Sequence, residues 1–260
     1  MCELLGMSAN VPTDIVFSFT GLMQRGGLTG PHRDGWGIAF YEGKGVRVFQ
    51  DPRPSYQSEV AELVRRYPIK SETVIGHIRH ANVGGVCLAN THPFTRELWG
   101  RHWCFAHNGQ LADFSPRAGH YRPVGTTDSE AAFCDLLSHI RDRFPEPVQV
   151  EELVAELVDC CERYRSHGVF NCLLSNGEWL FTFCSTKLAQ ITRRAPFGPA
   201  HLKDVEVQVD FQSETTPNDV VTVLATEPLT TNETWQLHTP GTWTLWAGGE
   251  CLLRGEPACT

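Results

Sequence analysis

The sequence has no apolar run approaching the ~20 residues that a membrane-spanning helix needs. Its N-terminus lacks the basic stretch and apolar segment of a secretory signal. Together these two absences predict a cytoplasmic protein. No block of Lys or Arg occurs, and 22 basic residues stand against 30 acidic ones, a net charge of −8. That balance argues against nucleic acid or an anionic membrane as the main partner. None of the ten cysteines (Cys2, Cys87, Cys104, Cys134, Cys160, Cys161, Cys172, Cys184, Cys251 and Cys259) forms a C-x-x-C pair. Without a signal they are expected to be reduced thiols, most of them small core residues, rather than a disulfide framework. The nearest zinc-like pattern is His77-Ile78-Arg79-His80. On a strand its two histidines face opposite sides, so neither a metal nor a cofactor is expected. No internal repeat or low-complexity linker divides the chain, and residues 1–260 read as one domain.

What is present is a mixture of helical and strand patterns, which predicts an α+β fold. A first helix is expected after Pro12-Thr13, with Ile15, Val16, Phe19, Leu22 and Met23 on one face. A Gly-rich loop follows from Gly26 to Gly37. Ile38–Glu42 and Val46–Gln50 read as a hairpin around Gly43-Lys44-Gly45. Gln57–Tyr67 fits a second helix with Val60, Leu63 and Val64 apolar, ended by Pro68. Thr73–His80 and His102–His107 read as short buried strands. Thr127-Asp128-Ser129-Glu130 matches a capping box, and Phe133, Leu136, Leu137 and Ile140 continue it as an apolar stripe. Another helix is expected over Val150–Arg165, with Gly168 as its C-cap. The remainder is β-rich. Asn176-Gly177 joins Val169–Leu174 to Trp179–Cys184. Val205, Val207, Val209 and Phe211 alternate with polar residues as on a half-wet strand. Val220–Ala225 and Thr242–Ala247 complete the set.

The chemistry starts at Cys2. Its small side chain permits removal of Met1, after which the residue carries both a thiol and a free α-amine. The amine has a pKa near ~7.7–8.0 and can act as a base. One residue can then supply nucleophile and base. By position alone Cys2 reads more readily as a small buried hydrophobe. Three further segments bear on the choice. Arg79 ends a buried strand, where its fork suits a carboxylate, either of a ligand or of a structural ion pair. Asn108-Gly109 follows another strand. It reads as a turn, or as a side-chain amide and a backbone N–H converging on an oxyanion. Asp128 opens the capping-box helix, where it complements the helix dipole or receives a substrate ammonium. The ordered set describes a recogniser for the amino-acid end of glutamine or another γ-glutamyl compound.

These residues lie within a longer series. It comprises Met1-Cys2, Arg25-Gly26-Gly27, Asp34-Gly35-Trp36-Gly37, Gly76-His77-Ile78-Arg79, Asn90-Thr91-His92-Pro93-Phe94, His107-Asn108-Gly109 and Thr127-Asp128-Ser129-Glu130. In this order the series resembles the class II glutamine amidotransferases, which are N-terminal-nucleophile hydrolases, and most of all their stand-alone YafJ-type subgroup. The resemblance implies a four-layer αββα sandwich of two antiparallel sheets. It implies that Cys2 attacks a side-chain amide while Asn108 and the Gly109 N–H hold the oxyanion. Arg79 would bind the α-carboxylate and Asp128 the α-amine, with Trp36, Gly37, His80 and His92 completing the substrate-binding set. The implied partner is a small γ-glutamyl molecule. A separate synthase or hydrolase subunit supplied with ammonia is the alternative, and a non-catalytic binding protein on the same scaffold a third. Arg79 is followed by His80, Ala81, Asn82 and Val83, not by the Trp and Thr-His of the sugar-phosphate enzymes, so contacts from those side chains do not carry over.

Overall fold

The structure, a computed structural model, describes residues 1–211 and 216–256; Cys259 lies outside them. Two antiparallel sheets stack face to face. The first is entered by β1 (Glu3–Thr13), β2 (Trp36–Glu42), β3 (Gly45–Asp51) and β4 (Ser71–Ile78). The second takes β5 (Phe94–Leu98), β6 (Arg101–Leu111), β7 (Gly168–Ser175) and β8 (Leu180–Phe183). The chain then returns to the first sheet with β9 (Ala189–Arg194) and makes a small hairpin of β10 (Pro199–His201) and β11 (Gln208–Asp210). It ends with β12 (Val220–Ala225) and β13 (Gln236–Leu237) in the first sheet, and β14 (Trp243–Ala247) and β15 (Glu250–Gly255) in the second. Spatial order is β13-β9-β12-β1-β4-β2-β3 in one sheet and β15-β14-β8-β7-β6-β5 in the other.

Helices α1 (Val16–Arg25) and α2 (Glu59–Arg66) cover the first sheet; α3 (Asp128–Arg143) and α4 (Val150–Arg165) cover the second. Three cores result. Phe105, Phe133, Leu157 and Phe170 fill the space under α3 and α4. Phe19, Trp36, Ile38 and Val223 fill the space under α1 and α2. Leu4, Ala39, Ile75, Ala106, Leu173 and Leu224 lie between the sheets. The architecture is therefore the αββα sandwich.

Periodicity located α1, α4 and β12 closely. It missed β1, where Glu3, Gly6 and Ser8 break up the apolar residues, although residues 3–9 are all buried because the strand is central and packed on both faces. Gly168 does not cap α4. The helix ends at Arg165 with Ser166 as its C-cap, and Gly168, with φ +152°, opens β7. On α2 the apolar face is narrower than expected: Val64 is buried and Leu63 is exposed. Of the strand expected around 205–211 only β11 enters a ladder, although Val205, Val207 and Phe211 still pack on the α1-side core. Thr127 caps α3 by accepting the Glu130 N–H at 3.2 Å. The reciprocal half of the capping box is absent, since Glu130 turns to the Gly125 N–H (2.7 Å) and to Arg96 (2.5 Å).

Candidate active site

Register places the site. β1 pairs with β4 from Glu3 opposite Ile78, so Cys2 falls beside Arg79 and His80. The Cys2 Sγ accepts the His80 N–H at 3.4 Å and donates to the His80 carbonyl at 3.5 Å. Cys2 is 8% exposed. Burial raises its pKa, and the His80 N–H, the N-terminal charge and Arg79 pull it back down. The resting thiol is thus protonated at neutral pH, and attack requires a base.

The Asp34–Gly37 segment clamps the same turn. Asp34 Oδ2 accepts the Ala81 N–H at 2.7 Å, and Arg79 exchanges backbone bonds with Gly35 O (2.8 Å) and Asp34 N (3.2 Å). Arg79 is 3% exposed. Its guanidinium donates to the carbonyls of Val83 (2.9 Å), Gly84 (3.1 Å) and Gly85 (3.0 Å). Among the described residues no carboxylate lies within ion-pair distance of it, so the structural ion pair is not formed. A buried cation held only by carbonyl dipoles is poised for an anion. Asn90 braces this loop, with Nδ2 on Gly85 O (3.0 Å) and Oδ1 accepting the Thr126 N–H (2.7 Å).

β6 supplies the opposite wall. Asn108 is fully buried. Its Nδ2 donates to Thr226 Oγ1 at 3.3 Å, and among the described residues its Oδ1 has no partner. Gly109 lies next to it, and a Cβ there would meet Val169 O at 1.7 Å. Phe170, opposite Gly109, sends its N–H to Ser185 Oγ (2.7 Å), away from β6. Antiparallel pairs exchange both bonds or neither, so Phe170 does not take up the Gly109 N–H. At the start of α3, Asp128 Oδ2 accepts the Leu111 N–H at 2.7 Å and Oδ1 the Ser129 N–H at 2.9 Å. These bonds tie helix to strand and leave each carboxylate oxygen a free lone pair.

Cys2, Arg79, His80, His92, Gly109 and Asp128 line one cleft of about 20 Å³. His92 and His107, which line the cleft, pack with His77 behind it. His77 and His92 stack at 4.1 Å, and His77 Nε2 meets His107 O at 3.1 Å. Burial lowers the pKa of His77 to about 3 and that of His92 well below the usual range. Among the described residues no group of three or more His, Cys, Asp or Glu is arranged to hold a metal.

Two expected substrate contacts lie elsewhere. Trp36 is fully buried and packs on Phe19 at 5.5 Å, because its position on β2 turns the indole toward α1. Gly37 acts by size, since a Cβ there would meet His92 O at 2.2 Å. Sequence reasoning also missed residues that hold the site. Asn171 takes three N–H groups of the Ser185–Lys187 turn on Oδ1 and donates to Asn108 O at 3.0 Å. An Asn inside the apolar run Val169–Leu174 was a readable signal. Thr226, which accepts the Leu4 N–H at 2.8 Å, carried none. A larger cavity of about 690 Å³ opens beside Phe17 and Phe197, and Cys2, Arg79 and Asp128 are not among its lining residues.

The family model for class-II glutamine amidotransferases matches residues 1–259. The chain is 61% identical over 255 residues to YafJ of Escherichia coli (strain K12), a protein named for the same family, covering 97% of this chain and 100% of that one. A crystal structure from Pseudomonas aeruginosa, of a protein predicted to be a glutamine amidotransferase, superposes with a TM-score of 0.81 at 71% identity, covering 97% and 100% of the two chains. The glutamine phosphoribosylpyrophosphate amidotransferase of B. subtilis shares the fold at a TM-score of 0.65 and 13% identity, over 100% of this chain and 50% of that one. Matched over nearly its whole length, the chain belongs to the class II glutamine amidotransferases, a family of enzymes.

Proposed function

We propose that the protein hydrolyses the γ-carboxamide of glutamine or of another γ-glutamyl compound through a thioester on Cys2. The observation that carries this reading is one cleft holding a thiol, a buried cation with no acidic partner among the described residues and a carboxylate with free lone pairs. Arg79 takes the α-carboxylate and Asp128 the α-ammonium, which fixes the amide carbon against Cys2. Loss of Met1 frees the α-amine, which accepts the thiol proton as Sγ attacks. The carbonyl oxygen becomes an oxyanion held by Asn108 and the Gly109 N–H.

Thr226 supports the Asn108 role. Its hydroxyl already accepts from Leu4 and still has a proton to give. Turned over, the Asn108 amide accepts that proton on Oδ1 and frees Nδ2 as a donor. The intermediate collapses as the proton passes to the departing nitrogen, giving ammonia or an amine. Water then cleaves the thioester, and glutamate leaves. The same set suits one domain over residues 1–260, a cytoplasmic location and a small-molecule partner. Delivery of ammonia to a separate synthase or hydrolase subunit is an alternative fate for the same product.

A panel of γ-glutamyl compounds, assayed for glutamate release by Met-processed protein, tests this. Release from at least one member, abolished by Cys2→Ala, is expected. A fully processed protein that releases none overturns the reading.

A further inference from the structure

His32, in the loop between α1 and β2, is buried against the start of the chain. Its Nδ1 lies 3.2 Å from Arg25 O and its Nε2 2.7 Å from Met1 O. Both neighbours are carbonyl oxygens, which only accept. A neutral imidazole has one N–H and one lone pair. Burial lowers the His32 pKa, although the two carbonyl contacts oppose the shift. In a neutral ring one of the two contacts therefore sets a lone pair against a lone pair.

The Arg25 contact is built in. A Cβ at Gly30 would meet Arg25 O at 2.7 Å and His32 Nδ1 at 2.9 Å. The Met1 contact vanishes with processing. The Cys2 nitrogen shares a peptide unit with Met1 O, so the group left near Nε2 is the new α-amine. This neighbourhood opens, on a side of Cys2 away from Arg79 and Asp128, into a cavity of about 450 Å³ that includes Glu3, Arg25 and Thr226. That is room for water and for the departing methionine.

We propose that His32 positions the α-amine of mature Cys2, its Nε2 accepting an amine hydrogen directly or through one water so that the amine lone pair turns to the thiol. The role rests on the hydrolase reading above. Nδ1–H keeps Arg25 O, so the ring cannot swing away. Glu3 stands behind it, with Oε1 4.0 Å from Nε2 and Oε2 held by Arg25 at 3.2 Å. When the amine takes the thiol proton, the same contact stabilises the ammonium.

The test uses protein whose loss of Met1 is verified by intact mass. His32→Asn keeps a donor for Arg25 O and leaves nothing at the Nε2 position. His32→Gln restores an acceptor there. His32→Asn should lower kcat on glutamine about tenfold with KM within about twofold, the loss expected for one hydrogen bond to a charged group. His32→Gln should recover most of kcat at a similar Tm. Unchanged kcat in His32→Asn, or equal losses in both variants that follow Tm, would overturn the role. A second arm needs no turnover. In protein labelled with 15N-cysteine, the α-nitrogen resonance should move in His32→Asn and stay in His32→Gln; a resonance unmoved in both refutes the contact. A wild type that hydrolyses no γ-glutamyl compound sinks the hydrolase reading, and the resonance still decides His32.

Discussion

Gly109→Ala is the sharpest perturbation the site offers. The new Cβ would lie 1.7 Å from Val169 O, 2.5 Å from its carbonyl carbon and 2.6 Å from His107 Nε2. Carbon–oxygen contacts begin near ~3.3 Å, so β6 and β7 must part by roughly 1.5 Å at this rung. Both obstacles are rigid: one is backbone, and the other is an imidazole pinned to Ser129 Oγ at 2.8 Å. Overpacking of this kind costs about 1–3 kcal/mol of stability. The catalytic cost should be larger. An oxyanion donor displaced by about 1 Å loses on the order of 10²-fold, and removal of one costs about 10²–10³ in kcat. Initial rates of glutamate release over a range of glutamine concentrations should show that fall with KM little changed. Gly198→Ala is the control, because no described residue lies within 4 Å of its Cβ position, and it should leave both rate and Tm alone. If Gly109→Ala lowers Tm yet keeps kcat within about threefold, the glycine serves strand packing only, and the oxyanion assignment is wrong.

Cys2→Ala should abolish glutamate release while Tm moves by no more than about 2–4 °C, and a non-cleavable N-terminal tag should abolish release as well; a tagged protein at full activity would refute the α-amine as base. Arg79→Lys keeps the charge but loses the fork that grips Val83, Gly84 and Gly85, so it should mainly raise KM for glutamine, a result inverted if Arg79 serves only the fold. Asp128→Asn should penalise substrates bearing a free α-amine far more than analogues lacking it, and an equal penalty would reduce Asp128 to a helix-start residue. Stability should fall on acidification below pH 6.5. His77 (pKa about 3), His92 (well below) and His238 (about 4) bind protons more weakly folded than unfolded, so the stability they contribute is present above 6.5 and lost as pH drops. Glu3, raised to about 7 by burial, works the other way and offsets one of them. Burial lowers His32 and His107 as well, so the histidines outweigh Glu3; thermal melts should show Tm falling from pH 7 to 5, and a flat Tm contradicts it.

What was legible in the sequence was what is local. A capping box, an Asn-Gly step and an Arg at the end of an apolar strand are short-range patterns, and each marked a residue that the fold brings to the edge of one cleft. What escaped depends on pairing across the chain. β1 gives no clear strand signal, since Glu3, Gly6 and Ser8 break up its apolar residues, yet its register against β4 is what sets Cys2 beside His80. Trp36 lies within the same motif as Gly37, and alternation on β2 sends the indole to the α1 core. Thr226 reaches Asn108 from 118 residues away, a separation that no window of sequence spans. Asn171 likewise reaches back 63 residues to Asn108 O while holding the Ser185–Lys187 turn, which Phe170 N–H also grips through Ser185 Oγ. Chemistry-bearing residues can therefore be nominated from motif and spacing, whereas the groups that aim them follow from strand register. His32 belongs to the second kind: nothing around it in the sequence singles it out, and only its place between Arg25 O and Met1 O gives it a task at the N-terminus.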